Sequence, residues 1–225
     1  MERVRPSVTV PGPLVLASTS EARRRLVGRL FQGAGSLAGV ELVTAAPTCD
    51  EAAIHGRTPD QTALLRAFAK AESVRAQFPR SAWITGSDQL VDLDGRILGK
   101  PGTTERACAQ LAELAGHTHR LVTAVVVLGP DVRESRVVVC RMTMRALSPD
   151  EIAAYVAADA PEACAGSYKF ECGGRALFES VQTTDESAIE GLPLVALSGM
   201  LAPLYDGRET PSRGTDVPPQ TSPAP

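Results

Sequence analysis

Two tetrapeptides set the frame of this chain before any other residue is weighed. Thr58-Pro59-Asp60-Gln61 and Ser148-Pro149-Asp150-Glu151 each combine a hydroxyl cap, a proline at the first helical position and an amide or carboxylate at capping-box spacing. The first predicts a helix through Leu64, Leu65, Phe68 and Val74 to about Phe78; the second predicts one that must end before Pro161. Ser20 caps a further helix whose Leu26, Val27, Leu30 and Phe31 recur at helical spacing before Gly33 and Gly35. Short apolar runs at Leu14 to Ala17, Val40 to Thr44 and Ala82 to Gly86 read as strands between these helices. Asp94-Gly95 supplies the positive φ of a tight turn, so Val91 to Leu98 is a hairpin that returns Lys100 to the sheet edge. A helix over Thr104 to Ala115 precedes a second hairpin, His119 to Leu128 and Ser135 to Met144, turning at Gly129-Pro130-Asp131. A strand over Ala176 to Val181 and a helix from about Pro193 to Leu204 close the α/β pattern.

The expected organisation is a lead-in over residues 1–13, one domain over 14–205 and a disordered tail over 206–225, where Pro, Ser, Thr and Gly leave little to bury. Lys and Arg number 23 against 26 Asp and Glu, a net charge of −3, so no positive field is available to hold a nucleic-acid polymer. Only 4% of residues are aromatic, which leaves few stacking platforms for single strands but enough for one nucleotide. The five cysteines show no CxxC spacing and point to a reducing, cytoplasmic setting. The apolar run Leu121 to Leu128 falls far short of a membrane span, so no membrane partner is expected.

Chemistry concentrates at a few positions. Ser18, with hydroxyls and backbone donors at a helix start, and the basic run Arg23-Arg24-Arg25 converge on an anion, with phosphate the natural ligand. Asp88 is expected just past the carboxyl end of its strand, the edge where open α/β sheets place ligands. Asp50, Glu51 and Asp88 are acids of the kind that hold a hard cation together with substrate phosphates. Gly95 to Pro101 is no P-loop, since its glycine spacing is short and Pro101 stands where a Ser or Thr is needed. Lys100 there still offers a point charge. His117 and His119 lack a completing ligand set and are read as non-catalytic. With neither a serine elbow nor a cysteine nucleophile signature, direct attack by water is the simpler chemistry.

Seven blocks in order resemble the Maf family of nucleotide pyrophosphatases: Leu14 to Leu26, Asp50-Glu51, Ala69-Lys70-Ala71, Gly86-Ser87-Asp88-Gln89, Asp94 to Pro101, Ala165 to Lys169 and Gly191 to Leu194. The resemblance implies an elongated mixed β-sheet with flanking helices, two lobes around a central cleft, and a dimer. It implies cleavage of a nucleoside triphosphate between its α and β phosphates with Mg²⁺ or Mn²⁺. Asp88 matches the family's catalytic aspartate, with Glu51 and Lys70 beside it; Glu51 and Asp88 would hold the metal, and Ser18, Arg23, Arg24 and Lys100 the triphosphate. Gln89 and Glu171 resemble the branch acting on 7-methyl-GTP, whereas Ala22 stands where that branch usually carries a tryptophan, and Glu21 where the family usually has proline. The alternatives are the same chemistry on dTTP, UTP or other non-standard nucleotides, and a non-hydrolytic nucleotide-binding regulator of septum formation.

Overall fold

The computed structural model describes residues 12–202 and 204, apart from 33–36 and 38. Gly33, Gly35, most of the expected lead-in and the tail therefore lie outside the described residues. Seven strands form one sheet: β1 (Leu14–Ala17), β2 (Leu42–Ala45), β3 (Trp83–Leu93), β4 (Arg96–Leu98), β5 (Thr118–Leu128), β6 (Arg133–Met144) and β7 (Phe178–Gln182). The helices are α1 (Glu21–Arg29), α2 (Pro59–Arg75), α3 (Thr104–Leu114), α4 (Pro149–Asp159) and α5 (Leu194–Met200). The order is β2-β1-β3-β5-β6-β7, with β4 on β3; β2, β1 and β3 run parallel and every later pairing is antiparallel.

The sequence pattern explains the layers. α2 buries Ala63, Ala67, Ala71 and Val74 against Val15, Ile84, Leu90, Val122 and Ala124 on one face of the sheet. Its alanine seam lets the helix lie close: a Cβ on Gly86 of β3 would come within 2.3 Å of the Ala67 carbonyl oxygen, so only glycine fits there. On the opposite face, α1 and α5 bring Leu26, Val27, Leu197 and Met200 onto Leu14, Leu16, Val125 and Val127. At the far end, α3 and α4 pack Leu111, Leu114, Ile152 and Val156 around Met142, Met144, Tyr168 and Phe170. Each fully buried aliphatic side chain contributes about 1.5–3 kcal/mol, so both ends have cores of their own.

One sequence expectation is corrected. The strand does not stop at Gly86; β3 continues through Ser87, Asp88 and Gln89 to Leu93. The polar run reads as a loop because strands are recognised by apolar side chains. It remains a strand because β5 pairs with it from Ile84 to Asp92 and each polar side chain finds a partner. Elsewhere the shifts are small: the second strand starts at Leu42, the last at Phe178, α2 ends at Arg75 and α5 at Met200.

This extension creates the cleft. β1 pairs with β3 only through Thr85, and β4 joins the same side only from Val91. Between them, Gly86 to Leu90 has β5 on one side and no described strand on the other. Five extended residues leave a gap of about 16 Å. Ser18 follows the end of β1 at one rim, and Lys100 follows the end of β4 at the other.

Candidate active site

Asp88 points from the middle of this edge toward α2, where Lys70 meets it. Lys70 Nζ lies 2.7 Å from Asp88 Oδ1, 2.8 Å from Glu51 Oε2 and 3.4 Å from the Ser87 carbonyl oxygen. Lys70 is 5% exposed and Asp88 4%, so the pair is desolvated, while the Glu51 carboxylate reaches water. A buried ammonium is tolerated only when paired, and here two carboxylates compensate it. Asp88 Oδ2 is buried and has no hydrogen-bond partner. Such an oxygen is costly to leave unsatisfied, and it is the natural acceptor for a water or a cation.

The neighbouring loop is ordered by its own side chains. Asp50 accepts from the Ala52 N–H at 3.1 Å and caps the 3₁₀ turn Glu51–Ala53. That cap, rather than metal binding, is the role its oxygen plays here, and it presents Glu51 to Lys70. At the β1 rim, the Ser18 hydroxyl accepts from the Ser20 N–H at 3.1 Å, and Ser20 caps α1 through the Arg23 N–H at 3.4 Å. Arg23 turns inward and donates from Nε to the Gly191 carbonyl at 2.8 Å. Burial holds its guanidinium below the usual arginine pKa, and the charges of Asp88 and Glu51 oppose that fall, so Arg23 shares their site.

The other expected residues are placed differently. Arg24 is exposed on α1, and Ala22 is half-buried on its first turn. Lys100 and Glu171 are exposed and have no hydrogen-bond partner among the described residues. Burial pushes the Cys164 thiol up, and both charges act on it at longer range, Glu171 raising it and Lys100 lowering it. The Gln89 side chain lies on the sheet face opposite Asp88, as strand alternation requires, and donates to Ala188 and Ile189 carbonyls at 2.8 and 3.1 Å.

Sequence reasoning missed Ser87, whose hydroxyl lies 2.8 Å from the Ala124 carbonyl and 2.9 Å from the Gly191 carbonyl. It also missed Asp185, buried beneath α5; the Asp-x-Ser capping spacing of Asp185 and Ser187 was the available signal. His119 is buried against Tyr168 and Phe178. A separate cavity of about 620 Å³ opens at the start of α2. Within it Arg120 bridges Asp60 and Asp92 at 2.7 Å each, which ties α2 to the sheet. All five cysteines are free thiols. No described helix is long and apolar enough to cross a membrane.

A mixed sheet with an edge that no described strand covers, a capped helix start carrying an inward arginine, and a buried lysine between two carboxylates together make the candidate site of an α/β protein. The chain belongs to the family described as Maf-like protein, which matches residues 13–204. It is 43% identical over 189 residues to the 7-methyl-GTP pyrophosphatase of Xanthomonas campestris pv. campestris, covering 84% of this chain and 94% of that one. It is 42% identical over 191 residues to the protein of the same name from Polaromonas, covering 84% and 83%. The Burkholderia thailandensis protein of that name is 38% identical over 211 residues, covering 90% and 94%.

Proposed function

We propose that this chain hydrolyses a nucleoside triphosphate between its α and β phosphates, with 7-methyl-GTP the preferred substrate. The observation that carries the reading is Lys70 between Glu51 and a buried Asp88 whose second oxygen is unpartnered, on an edge rimmed by Ser18 and Lys100. Relatives named 7-methyl-GTP pyrophosphatase, at 38–43% identity over most of their length, support the activity and the base.

In this mechanism Asp88 accepts a proton from the attacking water as the new bond forms to the α-phosphorus. The α–β bridging bond breaks, and its electron pair leaves with pyrophosphate. Arg23, Arg24, Lys100 and Ser18 hold the triphosphate and stabilise the charge gathering on the leaving group. Lys70, 2.7 Å from Asp88 Oδ1, holds that carboxylate aimed. Glu51 and the free Asp88 oxygen fit Mg²⁺ or Mn²⁺, since such ions take one or two carboxylates plus substrate phosphates. When bound, the ion supplies positive charge against the triphosphate. Ala22 and Glu171 face the base in this reading. A homodimer and a cytoplasmic setting belong to the same proposal.

The test is a panel of 7-methyl-GTP, GTP, dTTP and UTP with purified protein and divalent metal. Equimolar pyrophosphate and nucleoside monophosphate are expected, fastest from 7-methyl-GTP. A pyrimidine preference would move the substrate, and tight nucleotide binding without turnover would favour the septum-regulator alternative.

A further inference from the structure

The Lys100 side chain is exposed, yet the backbone that carries it is tied down on both sides. Gly99, directly after β4, gives its carbonyl oxygen to Gln110 Nε2 of α3 at 3.1 Å. Pro101 is buried, and the Gly102 N–H donates to the Glu162 carbonyl at 3.0 Å. Glu162 closes the same strap with its carboxylate, which accepts from the Thr104 hydroxyl at 2.9 Å. Lys100 is thus a free ammonium on a fixed loop.

Gln110 does more than hold Gly99. Its Oε1 accepts from the hydroxyl of Ser167, 57 residues further along the chain, at 2.6 Å, so one amide spans two separate segments. Ser167 is fully buried and has a φ of +62°, in the left-handed region that side chains other than glycine rarely adopt. Such backbone persists only where its surroundings over-determine it. The Ser167 N–H, bonded to the Cys164 carbonyl at 3.1 Å, and the Ser167 hydroxyl, bonded to Gln110, hold it there. The turn has no room to retreat toward the sheet, since a Cβ on Gly166 would come within 2.6 Å of Val91 Cγ2. α3 is seated as firmly, with Ala107, Leu111 and Leu114 fully buried. Gln110 therefore joins the Lys100 loop to two parts of the molecule that cannot move.

We infer that Gln110 is a positioning residue for Lys100: by donating to Gly99 and accepting from Ser167, it fixes the backbone from which the ammonium reaches a bound triphosphate. The inference rests on the proposed pyrophosphatase reading for its effect on turnover, because there Lys100 holds the phosphates. Gln110 touches no ligand in this role. Its loss leaves the charge in the molecule but frees the loop, which must then be ordered each time a ligand binds.

The experiment replaces Gln110 with methionine in the full chain, which keeps the length of the side chain and removes its donor and its acceptor. Expected is a fall in kcat/KM for 7-methyl-GTP of about three- to ten-fold, the cost of ordering a loosened loop. In a Lys100→Ala background the same replacement should cost less than about two-fold, because it acts through the lysine. A change that merely weakened the fold would cost as much in either background. By nitrogen relaxation NMR the order parameter of the Lys100 amide should fall from about 0.85 toward about 0.6 in Gln110→Met, while that of Asp88 stays unchanged. Ser167→Ala removes the far end of the bridge alone and should move both readouts in the same direction, less strongly. The order parameter needs no turnover, so an inactive wild type whose Lys100 amide loosens in Gln110→Met overturns the enzymatic reading and leaves the bridge standing. Unchanged Lys100 order, or an equal cost in the wild-type and Lys100→Ala backgrounds, overturns the proposal.

Discussion

Ser18 at the β1 rim and the Lys70–Asp88 pair at the middle of the open edge are buried and bonded to protein, and Arg23 is anchored to a backbone carbonyl. Lys100 at the β4 rim and Glu171 stand in solvent, with no hydrogen-bond partner among the described residues. The contrast separates two kinds of work. Charges fixed before the ligand arrives need no reorganisation at the moment of reaction and act in a low dielectric. Exposed charges keep their water until the ligand displaces it, and their interactions are worth about 1 kcal/mol or less. On the proposed reading, the fixed charges carry the chemistry and the exposed ones add adjustable contacts to the ligand.

The largest effect expected from breaking this division is at Asp88. Asp88→Asn keeps the shape and removes the base, so kcat should fall about 10²–10⁴-fold while nucleotide still binds. A single-turnover assay beside a binding titration checks it; near-normal turnover would return Asp88 to a structural role. Next is Lys70→Met. Removing the cation leaves a buried Asp88 beside Glu51, and breaking a buried pair typically costs about 3–5 kcal/mol. Urea denaturation should show that loss, and Asp88→Asn in the Lys70→Met background should restore part of it.

How far the site could be read from sequence follows the same line. The caps at Thr58, Ser148 and Ser20 and the Asp-Gly hairpin are local chemistry and stand where their residues predict, although only Ser148 and Glu151 close the full box; Gln61 Oε1 accepts from the Arg57 N–H instead of the Thr58 N–H. Asp88 was legible as a residue and misplaced as an element, because Gly86-Ser87-Asp88-Gln89 has no apolar signal and owes its strand to β5. Pairing that is long-range in the chain leaves no local trace. Lys70 reads as one more helix lysine until the Ala63, Ala67 and Ala71 seam brings it down onto Asp88. Gly191 and Asp185 act more than a hundred residues from Arg23 and β1, so spacing alone could not join them.

A third effect concerns the half of the molecule remote from catalysis. His119 is 2% exposed among Tyr168 and Phe178, with Nδ1 unpartnered, and burial lowers its pKa to about 4 from 6.5. The unfolded chain takes up a proton near pH 6.5 that the folded chain refuses until about pH 4. Stability is thus unaffected above pH 6.5 and falls as pH drops through this window, by up to about 3 kcal/mol. Glu151, held near 2 by the Ser148 N–H and Arg145, adds its own loss only below about 4.5. His119→Gln should flatten the stability profile between pH 6.5 and 4; an unchanged slope would show that another group carries it.

The smallest effect is the one that sharpens the exposed contacts. On the proposed reading, a carboxylate such as Glu171 can accept hydrogen bonds from the N1 and exocyclic amino groups of guanine and would favour the positive charge of N7 methylation. Thymine and uracil offer a single ring N–H, so Glu171→Gln should narrow the preference for 7-methyl-GTP over dTTP and UTP. Ala22, half-buried on the first turn of α1, offers no ring to stack on a cationic base. Ala22→Trp supplies one, and a cation over an aromatic face is worth about 0.5–2 kcal/mol, a gain of about two- to thirty-fold in selectivity. Because both changes touch the base and neither touches the Lys70–Asp88 pair, kcat for the best substrate should stay within about three-fold. The measurement is kcat/KM for the four nucleotides in wild type and both variants. Selectivity that ignores Glu171 and Ala22 would move base recognition away from both residues and leave the Lys70–Asp88 pair as it stands.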